Sequence, residues 1–397
     1  MSTDSREEHS DALGDVRVLD FTTMIAGPYC TRMLADVGAD VIKIEAKDGD
    51  YMRNLPPLKD GASRYFGHLN AGKRSISLDL KSPEAIEIVK TLCRSADVLV
   101  ENGRPGVMDR LGLGYETVSA INPRIVYCSI SGYGQSGPKS RLPAYAPMVT
   151  AASGFDLTQM GLDRSEMPPV ASLPTADILG AVYAASAIQT ALYHRERTGL
   201  GQRVDTTLIE SMLNLLLLEI QVVQQPLDFG RARYRPIRAS DGYVMVVPVN
   251  ANNFANLCKA TGHEEWLTDP RFAKPPERVR NYDTLMEELQ EWTIQRTGEE
   301  CERLLLAAGV PTSRYRSVEE AMSDPQLAHR GSFPEVEDAA GTFRVVNAPS
   351  AFSRSGYRVR SHVPRLGEHT ESVLREVGGF EDAEIQRLRA SGHVLFG

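Results

Sequence analysis

The stretch VRVLDFTTMIAGPYCTRMLADVGADVIKIE (16–45) decides the fold, because it contains a strand, a helix and a second strand in direct succession. VRVLDF (16–21) is the apolar, β-branched run of a buried strand. AGPYCTRMLADVG (26–38) has helical spacing and ends at Gly38, a favourable C-terminal cap. ADVIKIE (39–45) is the next strand. This order predicts a βαβ unit and parallel pairing.

The same alternation continues along the first half of the chain. Strands are predicted at RSISLDL (74–80), DVLVEN (97–102) and RIVYCSISGYG (124–134), and a helix at KSPEAIEIVKTLCRSA (81–96), capped by Ser82. The fold class is therefore α/β, with a parallel sheet and helices on both faces. Ligands of such sheets bind at the carboxyl ends of the strands.

The second half of the chain is mainly helical. LIESMLNLLLLEIQVV (208–223) is interrupted by polar residues and falls short of the ~20 apolar residues that cross a bilayer. We expect it to form one helix buried in a core or a subunit interface. The Pro-, Arg- and Gly-rich passage at 225–242 predicts a linker into a smaller α+β unit, and 366–392 predicts two capped helices.

Length, charge and cysteine usage exclude several classes. A chain of 397 residues predicts two domains, and a net charge of −8 argues against nucleic acid or an anionic membrane as a partner. The five cysteines form no CxxC pair or Cys/His cluster, which argues against a metal site or a disulfide framework. We expect free thiols in a reducing cytoplasm. The polar residues 1–15 predict a flexible tail.

Basic and glycine-rich segments follow several predicted strands. NAGKRS (70–75) carries Lys73, and ENGRPGVMDR (101–110) carries Arg104 and Arg110. Together these cations and the backbone amides near glycine suit the phosphates of a nucleotide-like ligand, although each cation alone is typical of a solvated surface. The glycine-rich turn SGYGQSGP (131–138) allows close approach of a ligand, and a structural turn explains it equally well.

Asp177, in LPTADILGAVYA (173–184), has two interpretations. Asp is a favoured helix N-cap, and a long helix is predicted to begin at this residue. No cation lies near it in the sequence, and small residues surround it, as a covalent carboxylate nucleophile for an activated acyl group requires. The local sequence leaves both roles open, and the two roles are compatible.

The motifs taken together resemble family III CoA-transferases (the CaiB/BaiF family), which include formyl-CoA transferase, carnitine CoA-transferase and α-methylacyl-CoA racemase. Besides 16–45, the resemblance is carried by LNAGKRSISLDL, DVLVENGRPGVMDRLGL, NPRIVYCSISGYGQSGP, HRERTGLGQRVDTTLIESML and LGEHTESVLRE. It implies a large Rossmann-like CoA-binding domain (16–225 and 336–397), a linker and smaller α+β domain (226–335) and an interlocked homodimer.

The resemblance also implies a reaction and a site. Asp177 matches the family's catalytic aspartate, which exchanges CoA between an acyl-CoA and a free carboxylic acid through an aspartyl anhydride and an aspartyl-CoA thioester. CoA is the substrate, and no metal or tightly bound cofactor is expected. The positions that match the family's CoA contacts are Ile25, Ala26, Asn70, Lys73, Arg74, Asn102, Gly103, Val107, Arg110 and Tyr145.

The sequence departs from two branches of the family. Racemases have a histidine after the GYGQ turn, whereas this chain has RLPAYAPM (141–148), and a two-base racemisation needs that partner. Formyl-CoA transferases have a poly-glycine loop and a glutamate where this chain has Ala146. We therefore expect a CoA-transferase whose acceptor is succinate, itaconate, mesaconate or a bulkier acid. A racemase-like isomerase and an inactive CoA-binding protein are the alternatives.

Overall fold

A computed structural model of the chain describes residues 11–226, 234–248 and 250–397. Most of the predicted tail, and 227–233 of the predicted linker, lie outside the described residues. The described residues divide into a larger compact unit (11–217 and 329–397) and a smaller one (218–226, 234–248 and 250–328). The sequence placed these divisions a few residues later, at 225/226 and 335/336.

The elements are numbered in chain order through both units. The strands are β1 (Arg17–Asp20), β2 (Asp40–Glu45), β3 (Leu58–Lys59), β4 (Ala62–Ser63), β5 (Arg74–Leu78), β6 (Val98–Glu101), β7 (Val126–Ser131), β8 (Arg203–Thr207), β9 (Ile237–Arg238), β10 (Tyr243–Val246), β11 (Thr312–Arg314), β12 (Glu335–Asp338), β13 (Gly341–Arg344) and β14 (Val394–Leu395). The helices are α1 (Ala26–Asp36), α2 (Arg64–Asn70), α3 (Pro83–Cys93), α4 (Val107–Arg110), α5 (Tyr115–Ile121), α6 (Ala146–Ala152), α7 (Phe155–Asp163), α8 (Thr175–Thr198), α9 (Leu208–Leu213), α10 (Leu217–Gln224), α11 (Ala251–Thr261), α12 (Pro275–Arg280), α13 (Tyr282–Thr293), α14 (Gly298–Ala307), α15 (Val318–Met322), α16 (Pro325–His329), α17 (Thr370–Glu376) and α18 (Asp382–Ser391).

The larger unit is built on a seven-stranded sheet in the order β14-β5-β2-β1-β6-β7-β8. All neighbours are parallel except the edge strand β14, which pairs antiparallel with β5. The α/β prediction with a parallel sheet is thus confirmed. From β1 the chain builds outward to β2 and β5 and then returns to place β6 on the other side of β1. This reversal is a topological switch point, where such sheets bind ligands.

Alternate residues of each central strand enter two separate cores. Val18 and Val98 pack on one face with α1, α6, α8 and α9, whereas Leu19 and Leu99 pack on the other with α3, α5, α17 and α18. Because successive side chains of a strand point to opposite faces, a strand covered by helices on both sides must be apolar throughout. The C-terminal helices α17 and α18 complete the second core, as expected from the sequence.

The long apolar segment at 208–223 is interrupted, and its burial in a subunit interface stays a prediction. Its predicted single helix is two helices, α9 and α10, separated at 214–216. The side chain of Asn214 donates to the carbonyl of Glu210 and the residue caps α9, which explains the break. Residues of α10 such as Leu217 and Val223 are exposed in the single chain. No described helix has the length and hydropathy needed to cross a membrane.

The smaller unit contains a three-stranded antiparallel sheet, β11-β10-β9, with helices around it. Val244 and Val246 of β10 are buried together with Phe254 of α11 and Leu285 of α13. Residue 249 lies outside the described part of this unit.

A buried charge network joins β1, β2 and β5 in the larger unit. The Lys73 ammonium lies 3.0 Å from the Asp20 carboxylate, and both side chains are fully buried. Burial acts to raise the pKa of Asp20, but the charges of Lys73 and Lys43 and the hydroxyls of Thr22 and Thr31 outweigh it and lower that pKa. Burial lowers the pKa of Lys73 to about 8.

We predict that Lys73→Met destabilises the protein by about 3–5 kcal/mol, because it leaves the Asp20 carboxylate buried with half of its charge compensation removed. The matched control is Lys90→Met, which removes a partly exposed pair with Glu87 and costs less than about 0.5 kcal/mol. Urea denaturation of both variants measures the difference. Equal effects in the two variants would contradict the role given to the network.

Candidate functional site

A cavity of about 260 Å³ lies at the switch point of the large sheet. Its walls come from the segments that follow β1, β6, β7 and β8, together with the residues before α6 and the first turn of α8. The lining residues are Thr23, Met24, Ile25, Ala26, Asn102, Arg104, Ile130, Ser131, Gly132, Pro143, Ala144, Tyr145, Asp177 and Leu208. Five of the predicted site residues, Ile25, Ala26, Asn102, Tyr145 and Asp177, thus share one cavity.

Asp177 is the third residue of α8 rather than its N-cap. The helix begins at Thr175 with Pro174 as its cap, because the amide of Ile178 already donates to the carbonyl of Pro174. The prediction that the helix begins at Asp177 is therefore wrong by two residues. The carboxylate still lies in the first turn, where the helix dipole favours a negative charge.

The Asp177 carboxylate accepts no hydrogen bond and forms no ion pair within the described part of the chain. Burial alone raises its pKa to about 6. Desolvation therefore outweighs the effect of the helix dipole on this group. At about pH 7 most molecules still carry the carboxylate, and it is poorly solvated, which suits a nucleophile.

Glycine at two positions allows the segments that form the cavity walls to pack closely against each other. A Cβ on Gly180, one turn after Asp177, would lie 2.4 Å from the Leu208 side chain, and a Cβ on Gly132 would lie 2.1 Å from that of Ala144. Glycine at these two positions lets a helix and a strand end approach the neighbouring walls closely. The glycine-rich turn therefore has a packing role, and its first residues also line the cavity.

The side chains of Asn70, Lys73 and Arg74, all predicted to contact CoA, are bound to other groups of this protein. The Lys73 ammonium is bound by Asp20, the side-chain oxygen of Asn70 and the carbonyl of Pro28. The Asn70 amide also donates to the carbonyl of Phe66 and is fully buried. Both side chains therefore stabilise the core, because the turn before β5 directs them inward.

Arg74 forms ion pairs with Asp40, at 2.5 Å, and Glu376. Gly103, Val107 and Arg110 belong to the turn and short helix after β6 and do not line the cavity. The Gly103 amide donates to the Glu101 carboxylate. CoA contacts by these four residues stay predictions.

Two further residues bear on the site: Tyr65, which the sequence analysis did not name, and Arg104, which it named among the cations that suit a phosphate. Burial and the charge of Asp177 raise the pKa of Tyr65, so the Tyr65 phenol lies within electrostatic reach of the carboxylate. Arg104 is an exposed cation on the cavity wall, with no ion pair among the described residues. The sequence analysis placed Arg104 among the cations that suit a phosphate group, but not among the positions that match the family's CoA contacts. Tyr65 gave no signal because an aromatic residue on a short helix resembles a core residue.

Histidines and acids also cluster away from this cavity, at His362, Glu368 and His369. The sequence interpretation found no such group. His362 and Glu368 already pair at 2.8 Å, and a ring nitrogen of His369 accepts the Ser75 amide at 3.3 Å. These partners account for the three side chains without a metal ion. No histidine lines the Asp177 cavity among the residues that the structure describes.

Sequence comparison matches the CoA-transferase family III over residues 13–370. The chain belongs to this family. It is 35% identical to a formyl-CoA:oxalate CoA-transferase of Rhodopseudomonas palustris, with 96% of this chain and 97% of that protein aligned. It is 34% identical to an acyl-CoA transferase of Fusarium pseudograminearum, with 98% and 90% aligned.

Solved structures of the family show the same fold. A CaiB/BaiF family protein from Brucella suis superposes with a TM-score of 0.81 at 32% identity, over 93% of this chain and all of that one. The family III assignment makes the protein a transferase that handles CoA thioesters, and the resemblance stated from the sequence motifs is confirmed.

We predict that Asp177→Asn stabilises the protein at neutral pH. Since the folded-state pKa of about 6 exceeds the unfolded value of about 3.9, the native state binds more protons between these values, and wild-type stability falls as pH rises through this window. The Asp177→Asn variant does not titrate at this position, so its stability does not fall with pH for this reason. Its advantage is absent near pH 3.5 and reaches about 3 kcal/mol above about pH 7.

Urea denaturation across this pH range measures the effect, with Asp48→Asn, at an exposed loop residue, as the matched control. A difference between wild type and Asp177→Asn that stays constant with pH would contradict the burial of an unpaired carboxylate at this position.

Proposed function

We propose that this protein exchanges CoA between an acyl-CoA thioester and a free carboxylic acid, with Asp177 as the covalent nucleophile. The observation that carries the proposal is the unpaired, half-buried carboxylate of Asp177 in the cavity at the sheet's switch point. Membership of CoA-transferase family III supplies the reaction class, and the carboxylate supplies a group able to form acyl intermediates.

The proposed reaction uses three nucleophiles in turn: the Asp177 carboxylate, the CoA thiolate and the acceptor carboxylate. The Asp177 carboxylate attacks the donor thioester carbonyl, the C–S bond breaks, and an aspartyl–acyl anhydride and CoA thiolate form. The thiolate attacks the aspartyl carbonyl, releasing the donor acid and leaving an Asp177–CoA thioester. The acceptor carboxylate displaces the thiolate to form a second anhydride, and the thiolate then attacks the acceptor's carbonyl. The product acyl-CoA leaves and the Asp177 carboxylate is regenerated.

Backbone amides and one cation complete the proposed site. Ile25 and Ala26 lie at the N-terminus of α1, which has no acidic residue in its first turn and no side-chain cap. Amides of this kind stabilise an oxyanion formed at a thioester carbonyl. Arg104 places a positive charge on a wall of the cavity in a protein of net charge −8, which suits anionic substrates. Tyr145 contributes an exposed phenol at the mouth.

The acceptor is proposed to be an acid other than oxalate, although several relatives are formyl-CoA:oxalate CoA-transferases. Ala146 is an apolar first residue of α6 and is buried. The absence of a carboxylate side chain at this point favours a larger acid, such as succinate, itaconate or mesaconate.

The protein is further proposed to act as a homodimer. Several large apolar side chains are exposed in the single chain, including Val170 at 90%, Val223 at 86% and Leu173 at 79%. Such residues favour burial against another protein surface. The interlocked arrangement and the cytoplasmic location stay predictions; the five buried thiols fit a reducing compartment.

The decisive experiment traps the covalent intermediate. We expect that incubation with a panel of acyl-CoAs, followed by hydroxylamine, converts Asp177 into a hydroxamate that peptide mass spectrometry locates. Asp163→Asn, at the end of α7, serves as the control and is trapped like the wild type, whereas Asp177→Asn is not. CoA binding without modification of Asp177 by any donor would contradict the mechanism. Exchange of the substrate α-proton in D₂O, without an acceptor acid, would indicate a racemase instead.

A further inference from the structure

The turn between β1 and α1 is held by side chains rather than by its own backbone. The Thr22 amide donates to Asp20, and the Thr22 carbonyl accepts from the buried Lys43 ammonium at 2.7 Å. The Met24 amide lies 3.3 Å from a carboxylate oxygen of Asp50. Met24 and the two residues that follow it line the Asp177 cavity, so these contacts fix the shape of one wall.

Asn102 makes a two-point contact in the middle of this turn. Its side-chain oxygen accepts the Thr23 amide at 2.9 Å, and its side-chain nitrogen donates to the Thr23 carbonyl at 2.7 Å. Asn102 follows the last residue of β6, the strand that pairs with β1. The contact therefore joins the two carboxyl ends on either side of the switch point.

Met24 is in the left-handed backbone region, with φ of 66°. This conformation is unfavourable for a residue with a side chain relative to its ordinary conformations. Such a conformation persists where the surroundings determine it. Here Asn102 fixes the peptide before Met24, and Asp50 binds the amide of Met24 itself.

We propose that Asn102 is a positioning residue, which holds Thr23 and the strained Met24 so that the wall formed by Met24, Ile25 and Ala26 is correctly placed in the Asp177 cavity. This inference rests on the proposed function. It assigns Asn102 a role in addition to the CoA contact implied by family resemblance, because one acceptor position and one donor position of its amide are bound to Thr23. Misplacement of reacting groups by about 1 Å costs on the order of 100-fold in rate.

The test combines Asn102→Ala with Met24→Gly in a double-mutant cycle. Glycine adopts a positive φ without strain, so the turn needs less help from Asn102 in the glycine background. We expect Asn102→Ala to lower kcat at least about 10-fold with CoA affinity changed less than about 3-fold, and we expect a clearly smaller loss when the same change is made in Met24→Gly. Asn102→Asp keeps the acceptor for the Thr23 amide but loses the donor, and its loss is intermediate.

Two results would overturn the proposal. One is a rise of 10-fold or more (an order-of-magnitude criterion) in the Kd of CoA with kcat unchanged, which identifies a direct ligand contact. The other is an equal loss in both backgrounds, which shows that Asn102 does not act through Met24.

A second readout needs no turnover. Hydrogen exchange of the peptide that covers 22–26 is expected to be faster in Asn102→Ala and partly restored toward the wild-type rate in the double variant. If no donor is ever turned over, the proposed function fails, and hydrogen exchange still decides the positioning role. Unchanged exchange in Asn102→Ala would contradict it.

Discussion

The Asp20 and Lys73 side chains lie 3.0 Å apart, and the Lys43 and Asp50 side chains 3.1 Å apart, all fully buried. Buried charges are tolerated only when each has a partner and further hydrogen bonds. Here those further bonds go to the Thr22 carbonyl and to the backbone on either side of it. The energetic requirement of the ion pairs therefore fixes the turn after β1, and that turn forms one wall of the cavity that contains Asp177.

The position of the cavity follows from the order of the strands. Because β2 and β6 pair with opposite edges of β1, the connections that follow β1 and β6 diverge and leave a space at their carboxyl ends. The side chain of Asn102 reaches across this space and binds the backbone amide and carbonyl of Thr23. Asp177 enters it from the first turn of α8, and its carboxylate keeps no partner in the described chain. A poorly solvated carboxylate beside amides at a helix N-terminus is suited to acyl transfer.

The parts of the fold that depend on local pattern were predictable. The β1–α1–β2 unit follows from apolar runs interrupted by a helical segment, and Ser82 is the N-cap residue of α3, as the sequence indicated. Asp177 was a candidate because its neighbours in the sequence are small and uncharged and because the family resemblance matches it to the catalytic aspartate; its catalytic role stays a prediction. The start of α8 was misjudged because a preferred cap residue was given more weight than Pro174.

Properties that depend on distant partners were not predictable. The sequence predicts a surface cation at Lys73, but the fold places Asp20 beside it, and the sequence gives no sign that the Asn102 amide binds the backbone of Thr23. Tyr65 and Asp177 are more than a hundred residues apart in sequence.

The most direct measurement of the central claim is transfer of ¹⁸O from a labelled acceptor acid. The account predicts ¹⁸O in the Asp177 side chain after turnover, because the bridging oxygen of the second anhydride stays with the enzyme. Turnover that leaves Asp177 unlabelled would contradict it.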